Sequence, residues 1–231
     1  TGWEDTIWLT KQMRVDKDWA LFGEFTFDFT EKLSGTVGAR YFDSDNSLEG
    51  FFGYSEGYSS RTGEAACPGG DHTTAPDFNG APCKVFDKST QEDGVTPRVN
   101  LTYKFTDEAM VYATYSEGFR PGGINRRGTL PPYLPDFLTN YELGWKTSWA
   151  DNTVVFNGAV FQADWDDFQF SILGPNGLTE LRNANQARIR GVEADVSWAV
   201  TYNFTLTGAM AYYDAELTEN YCGETEDDGT P

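Results

Sequence analysis

A chain of 231 residues can make one large β domain or one or two ordinary ones, and its formal charge of −19, from 36 acidic against 17 basic residues, leaves nothing to neutralise a phosphate backbone and so excludes a nucleic-acid partner. Aromatic residues are 16% of the chain and glycines number 24, which suits strands and tight turns better than packed helices. No run reaches the roughly 18 consecutive apolar residues of a membrane helix, a test that is blind to β-barrels, whose strands hide apolarity in every second position.

Residues 1–17, with Ile7, Leu9 and Met13, read as the end of a preceding strand and its loop. From Trp19 the odd positions Trp19, Leu21, Phe25, Phe27 and Phe29 alternate with Ala20, Phe22, Glu24, Thr26 and Asp28. Side chains of a strand point to opposite faces in turn, so this segment has one greasy and one mostly polar face. Its length fits the roughly 9–11 residues of a tilted membrane strand. The pattern returns at Val99, Leu101, Tyr103 and Phe105, at Tyr141, Leu143, Trp145 and Trp149, at Val192, Ala194, Val196 and Trp198, and at Phe204, Leu206, Met210 and Tyr212. Segments 109–118 and 152–168 carry apolar residues on both faces.

Connections sort into two kinds. Short polar turns lie at Thr30-Glu31-Lys32, Thr106-Asp107-Glu108, Ala150-Asp151-Asn152 and Thr201-Tyr202-Asn203. Long segments rich in Gly, Pro, Asn and Asp occupy about 46–93, 119–135 and 171–185, with 217–231 as a further outer segment. Short and long alternate, as the periplasmic turns and outer loops of an outer-membrane barrel do. Phe29, Phe105, Trp149, Trp198 and Phe204 crowd the short turns like an interfacial girdle. The fold class expected is therefore all-β: an antiparallel, up-and-down transmembrane β-barrel segment of about 8–9 strands in the bacterial outer membrane. Both ends would then lie on the outer side, which places the remaining strands on other material; closure as a small eight-stranded barrel is the alternative.

Cys67 and Cys83 flank a Pro-, Gly- and Asp-rich stretch without zinc spacing. They read either as a disulfide, contributing roughly 3 kcal/mol if unstrained, or as two free thiols. Cys222 has no evident mate.

Four segments, in order, resemble the barrel of TonB-dependent receptors: Trp19–Glu24 with Leu33–Tyr41; Val111–Gly123; Tyr141–Lys146 with Phe161, Asp164, Trp165, Phe168 and Gln169; and Asn183-Ala184 with Gly191–Ala194. The resemblance covers most of residues 19–216. It implies a larger barrel of about 22 strands around a globular plug. It also implies ligand capture at outer loops and plug, and energy delivered when a plug segment contacts the TonB complex of the inner membrane. The expected partners are outer-membrane lipid and lipopolysaccharide, the remainder of the barrel and its plug, and a small-molecule ligand such as a ferric siderophore. A diffusion porin and a soluble β-rich hydrolase are the competing readings.

Candidate chemistry is sparse, and no cofactor motif is read. Asp164, Asp166 and Asp167 could pair as catalytic carboxylates, but no His or Cys stands near them in sequence. Asp43, Asp45, Asn46 and Glu49 offer oxygen ligands without the spacing of a calcium loop. His72, the only histidine, lies in the Cys67–Cys83 stretch. The cluster Arg120, Asn125, Arg126 and Arg127 stands in a Gly- and Pro-rich outer loop, where arginines could contact an anionic ligand, an acidic rim or lipopolysaccharide phosphates. Arg188 and Arg190, on the Val192 parity, are expected to mark the outer rim.

Overall fold

Alternation turns into strand pairing in the computed structural model, which describes residues 8–54, 67, 79–81, 83–127, 130–174 and 177–219. The strands are β1 (Trp8–Asp28), β2 (Leu33–Tyr54), β3 (Phe86–Thr106), β4 (Ala109–Arg120), β5 (Asp136–Trp149), β6 (Val154–Asp166), β7 (Gln169–Leu173), β8 (Thr179–Asn183), β9 (Gln186–Thr201) and β10 (Phe204–Leu217). Eight of them form one antiparallel sheet in the order β1-β2-β3-β4-β5-β6-β9-β10, and β7 and β8 make a separate hairpin. Among the described residues β1 and β10 are the edges and do not pair with each other, so the sheet is open.

Register sorts the side chains by face. The row Phe27, Gly35, Leu101, Ala113, Leu143, Val160, Val192, Tyr212 crosses all eight strands without a charge. The neighbouring row on the opposite face begins Thr26, Thr36, Asn100, Thr114, Glu142. Thr26 and Thr36 share a 2.9 Å hydroxyl contact, and Asn100 donates to Thr114 at 2.8 Å. Phe25, Leu101 and Val196 are 64%, 48% and 38% exposed, so they form an outward apolar surface and not a dry core. A slip by one residue would exchange these faces, which pins the register.

Hydrogen-bonded rows also climb. The apolar row passes one residue from the turn end of β1 (28 − 27) and eight from the turn end of β10 (212 − 204), an advance of seven over seven strand steps. About one residue, or ~3.3 Å, per strand spacing of ~4.8 Å corresponds to a strand tilt of roughly 35°, the geometry of a barrel wall. The next apolar-face row therefore starts in hydrocarbon at Phe25 and Val37 and ends at Gln162, Arg190 and Asp214. Arg190 and Arg188 stand at the rim, where Arg188 meets Asp164 at 2.6 Å.

Rings over glycines lock neighbouring strands. A Cβ on Gly144, Gly158 or Gly191 would overlap the ring of Tyr112, Trp145 or Phe161 on the adjoining strand. Each aromatic thus fills the space its paired glycine leaves open.

Three boundaries differ from expectation. β1 takes in residues 8–17, which continue the Trp19 strand instead of ending an earlier one. The outer segment expected at 46–93 is strand at both ends, because the β2–β3 ladder runs on to Gly50 opposite Phe86. Residues 171–185 hold most of the β7–β8 hairpin. All three places lie beyond the hydrocarbon belt, so nothing forces apolar and polar residues to alternate. β1, β2 and β3 reach 21, 22 and 21 residues, about twice a membrane strand, and run roughly 30 Å beyond it.

Candidate functional site at the outer mouth

Parity decides which side of the wall the outer segments cover. Gln12, Arg14 and Asp16 of β1, Asn46 and Leu48 of β2, and Lys88 and Glu92 of β3 share the polar, lumen-side face of Glu24, Thr36 and Arg98. The β4–β5 connection, residues 121–135, folds onto that face through its described residues, 121–127 and 130–135. Ile124 is buried with Leu48 and Phe86, and its N–H donates to the Asn46 side-chain oxygen at 3.1 Å. Gly122 donates its N–H to Glu92 at 3.0 Å. Burial pushes the Glu92 carboxyl up, and this hydrogen bond pulls the other way. Gln12 donates to the Arg126 carbonyl and Lys88 to the Leu130 carbonyl, both at 2.8 Å.

The structure gathers the four sequence candidates at the start of this connection and gives them different tasks. Arg120 ends β4, forks onto the buried Asp136 carboxylate, donates to the Gln169 carbonyl at 3.1 Å and lies 4.9 Å from the Trp165 ring centre. Asn125 is buried; its amide donates to Pro131 and Leu181 carbonyls, and its oxygen accepts the Leu181 N–H at 2.8 Å. Arg127 is also buried, 3.0 Å from Glu180. Arg120 stays half exposed despite these contacts, and Arg126 is exposed and held through its backbone carbonyl.

Glu180, Arg182 and Asp136 were not singled out from sequence. Glu180 is 2% exposed and splits its oxygens, Oε2 to Arg127 of the connection and Oε1 to Arg182 of its own hairpin at 2.7 Å. Asn183 closes the same seam, accepting the Leu134 N–H at 2.8 Å and donating to its carbonyl at 3.0 Å. An acid in a loop looks alike in sequence whether solvated or buried, so only the cationic side of this seam carried a signal.

On the other face, the root of the β2–β3 connection is stapled. Cys67 and Cys83 form a disulfide, with Cα atoms 5.8 Å apart, packed with Ala81 on Phe51 and against Leu9. His72 and Cys222 lie outside the described residues.

The remaining carboxylates belong to strand ends. Asp164 pairs with Arg188, Asp166 accepts from Gln186 at 2.8 Å, and Asp167 turns the chain at φ 54°. Asp43, Asp45 and Glu49 point to one face of β2 and Asn46 to the other, so they cannot close on one ion. Among the described residues no group of three or more His, Cys, Asp or Glu is placed to hold a metal.

The family model "TonB dependent receptor-like, beta-barrel" matches residues 11–231. The pesticin receptor of Yersinia enterocolitica is 32% identical over 113 residues, 47% of this chain and 16% of the relative. The ferric-pyoverdine 358 receptor of Pseudomonas putida is 31% identical over 124 residues, 52% of this chain and 14% of the relative. The chain thus spans about one-sixth of the curated relatives it matches. Among solved structures, the ferric yersiniabactin uptake receptor FyuA of Yersinia pestis superposes with a TM-score of 0.69 at 20% identity, covering 90% of this chain and 28% of that one. The ferric-catecholate import receptor Fiu of E. coli K12 gives 0.67 at 18% identity, covering 95% and 30%. At such identities the superpositions speak for the fold.

Proposed function

The chain belongs to the TonB-dependent receptor-like β-barrel family, and from that membership we propose that it is a wall segment of an importer that draws a metal chelate across the bacterial outer membrane with TonB-derived energy. The observation that carries the reading is the pairing of an uncharged outward row with a lumen face that the 121–135 connection folds over. A wall whose outer mouth is furnished on its lumen side suits capture and handover. The relatives, which include ferric-pyoverdine and metal-pseudopaline receptors, favour a chelated metal as cargo. TonB coupling and the plug belong, in this reading, to the remainder of the receptor.

Arg126 is the residue proposed to touch an anionic chelate, and Arg120, Asn125 and Arg127 hold it in place. The test uses the full receptor in cells starved of iron, with radiolabelled ferric complexes of catecholate, hydroxamate and phenolate chelators. Uptake of at least one should saturate and vanish when TonB is deleted. Arg126→Ala should weaken its binding about fivefold, the scale of one exposed charged contact worth ~1 kcal/mol. Non-saturating entry that persists without TonB would favour a diffusion porin instead.

A further inference from the structure

Long outer connections are expected to be the loosest parts of a barrel, yet two of them here are built like core. The 121–135 connection buries Ile124, Asn125 and Arg127, and the hairpin buries Glu180. Their seam joins elements about 50 residues apart in sequence, through Asn125 to Leu181, Arg127 to Glu180 and Leu134 to Asn183. Gly123 and Tyr133 exchange both backbone hydrogen bonds, at 3.0 and 2.9 Å, so the connection closes on itself before meeting its neighbours. Gly122 permits the close approach: a Cβ there would press on the Tyr133 carbonyl and the Glu92 carboxylate.

We infer that the 121–135 connection and the β7–β8 hairpin form one latched strut, docked on the lumen face of β1–β3 and bolted by Glu180. It stands as a fixed obstruction in the outer mouth and opens only as a unit. A buried carboxylate that serves one guanidinium from each element couples them. Neutralising it leaves Arg127 and Arg182 facing an amide, and the cost falls on both sides of the seam. Segments that share such a seam open together, and their amides exchange at a common rate. The inference rests on the lumen-side assignment in the importer reading and is indifferent to the cargo.

Hydrogen–deuterium exchange on the full receptor in detergent tests it without any ligand. Peptides from 121–127 and 177–183 should be protected within tenfold of β5 peptides. Glu180→Gln should speed exchange in both by at least tenfold and leave β5 unchanged. If Glu180→Gln does not assemble, Asn125→Ala cuts the same seam and should give the same paired loosening. Exchange at free-loop rates in the unaltered receptor, or loosening confined to the hairpin, would overturn the strut. A receptor that shows the paired protection but takes up no ferric chelate would sink the importer reading and leave the strut standing.

Discussion

Ala150, Asp151 and Asn152 carry the chain from β5 to β6 with φ of 51°, 52° and 62°, three successive left-handed residues. Asp and Asn tolerate that region; alanine gains nothing from it, and its Cβ crowds the following carbonyl at about 1–2 kcal/mol. Ala150→Gly removes the clash and gives back part of it in backbone entropy, so a net gain of roughly 0.5–1 kcal/mol is expected in thermal unfolding of the receptor in detergent. Gly144 works the other way. Gly144→Val would drive the Tyr112 ring out of its seat on β5, an overpacking cost of about 1–3 kcal/mol, which Tyr112→Ala in the same molecule should largely remove. At the rim, Arg188 hydrogen-bonds Asp164 and holds its carboxyl below the usual carboxylate range. A depressed folded pKa contributes stability above the unfolded value, lost as pH falls through the folded one. The melting-temperature difference between the unaltered receptor and Arg188→Ala should therefore be present at neutral pH and close on acidification below about pH 4.

Strands differ in how readily they can be read from sequence, and solvent explains the difference. Around Leu101 and Val196 hydrocarbon lies on one side and water on the other, so the twofold rhythm is obligatory and visible. In 43–50 and 86–93 no hydrocarbon lies on either side: the 121–135 connection covers Asn46 and Leu48, and the polar run Asp43, Ser44, Asp45, Asn46 and Ser47 pairs with β3 by its backbone ladder and one side-chain bond, from Gln91 to Asp43 at 3.2 Å. Such a ladder leaves no mark in hydropathy, which is why those residues read as loop. The arginine cluster was legible as a cluster; its division into three side chains engaged by partners and Arg126, held through its backbone, was not, because Asp136 and Glu180 come to it from other elements. The disulfide, by contrast, joins two cysteines of one stretch, so sequence could offer it, beside the free-thiol reading, without a distant partner. Shortening the projecting ends is the matching experiment. Deleting the paired residues 46–50 and 86–90 should abolish protection of Ile124, whose amide rests on Asn46, while the membrane-level strands persist; exchange at Ile124 read against β5 checks this.

At the scale of the molecule, one sheet separates two solvents, and substitutions should be judged by the side they enter. Leu101→Lys puts an ammonium among Gly35, Ala113 and Leu143, at roughly 2–4 kcal/mol near the midplane, and should sharply reduce the heat-modifiable, assembled fraction of the receptor. Thr114→Lys, in the neighbouring lumen-side row between Asn100 and Glu142, should assemble normally. The climbing rows carry a further consequence. A strand displaced by two positions keeps every side chain on its proper side, so a flat sheet would scarcely object. Here the same slip lifts that strand's greasy belt by roughly 5 Å out of a band only ~25 Å tall. The bilayer thus proofreads alignment vertically, catching the even-numbered errors to which sidedness is blind.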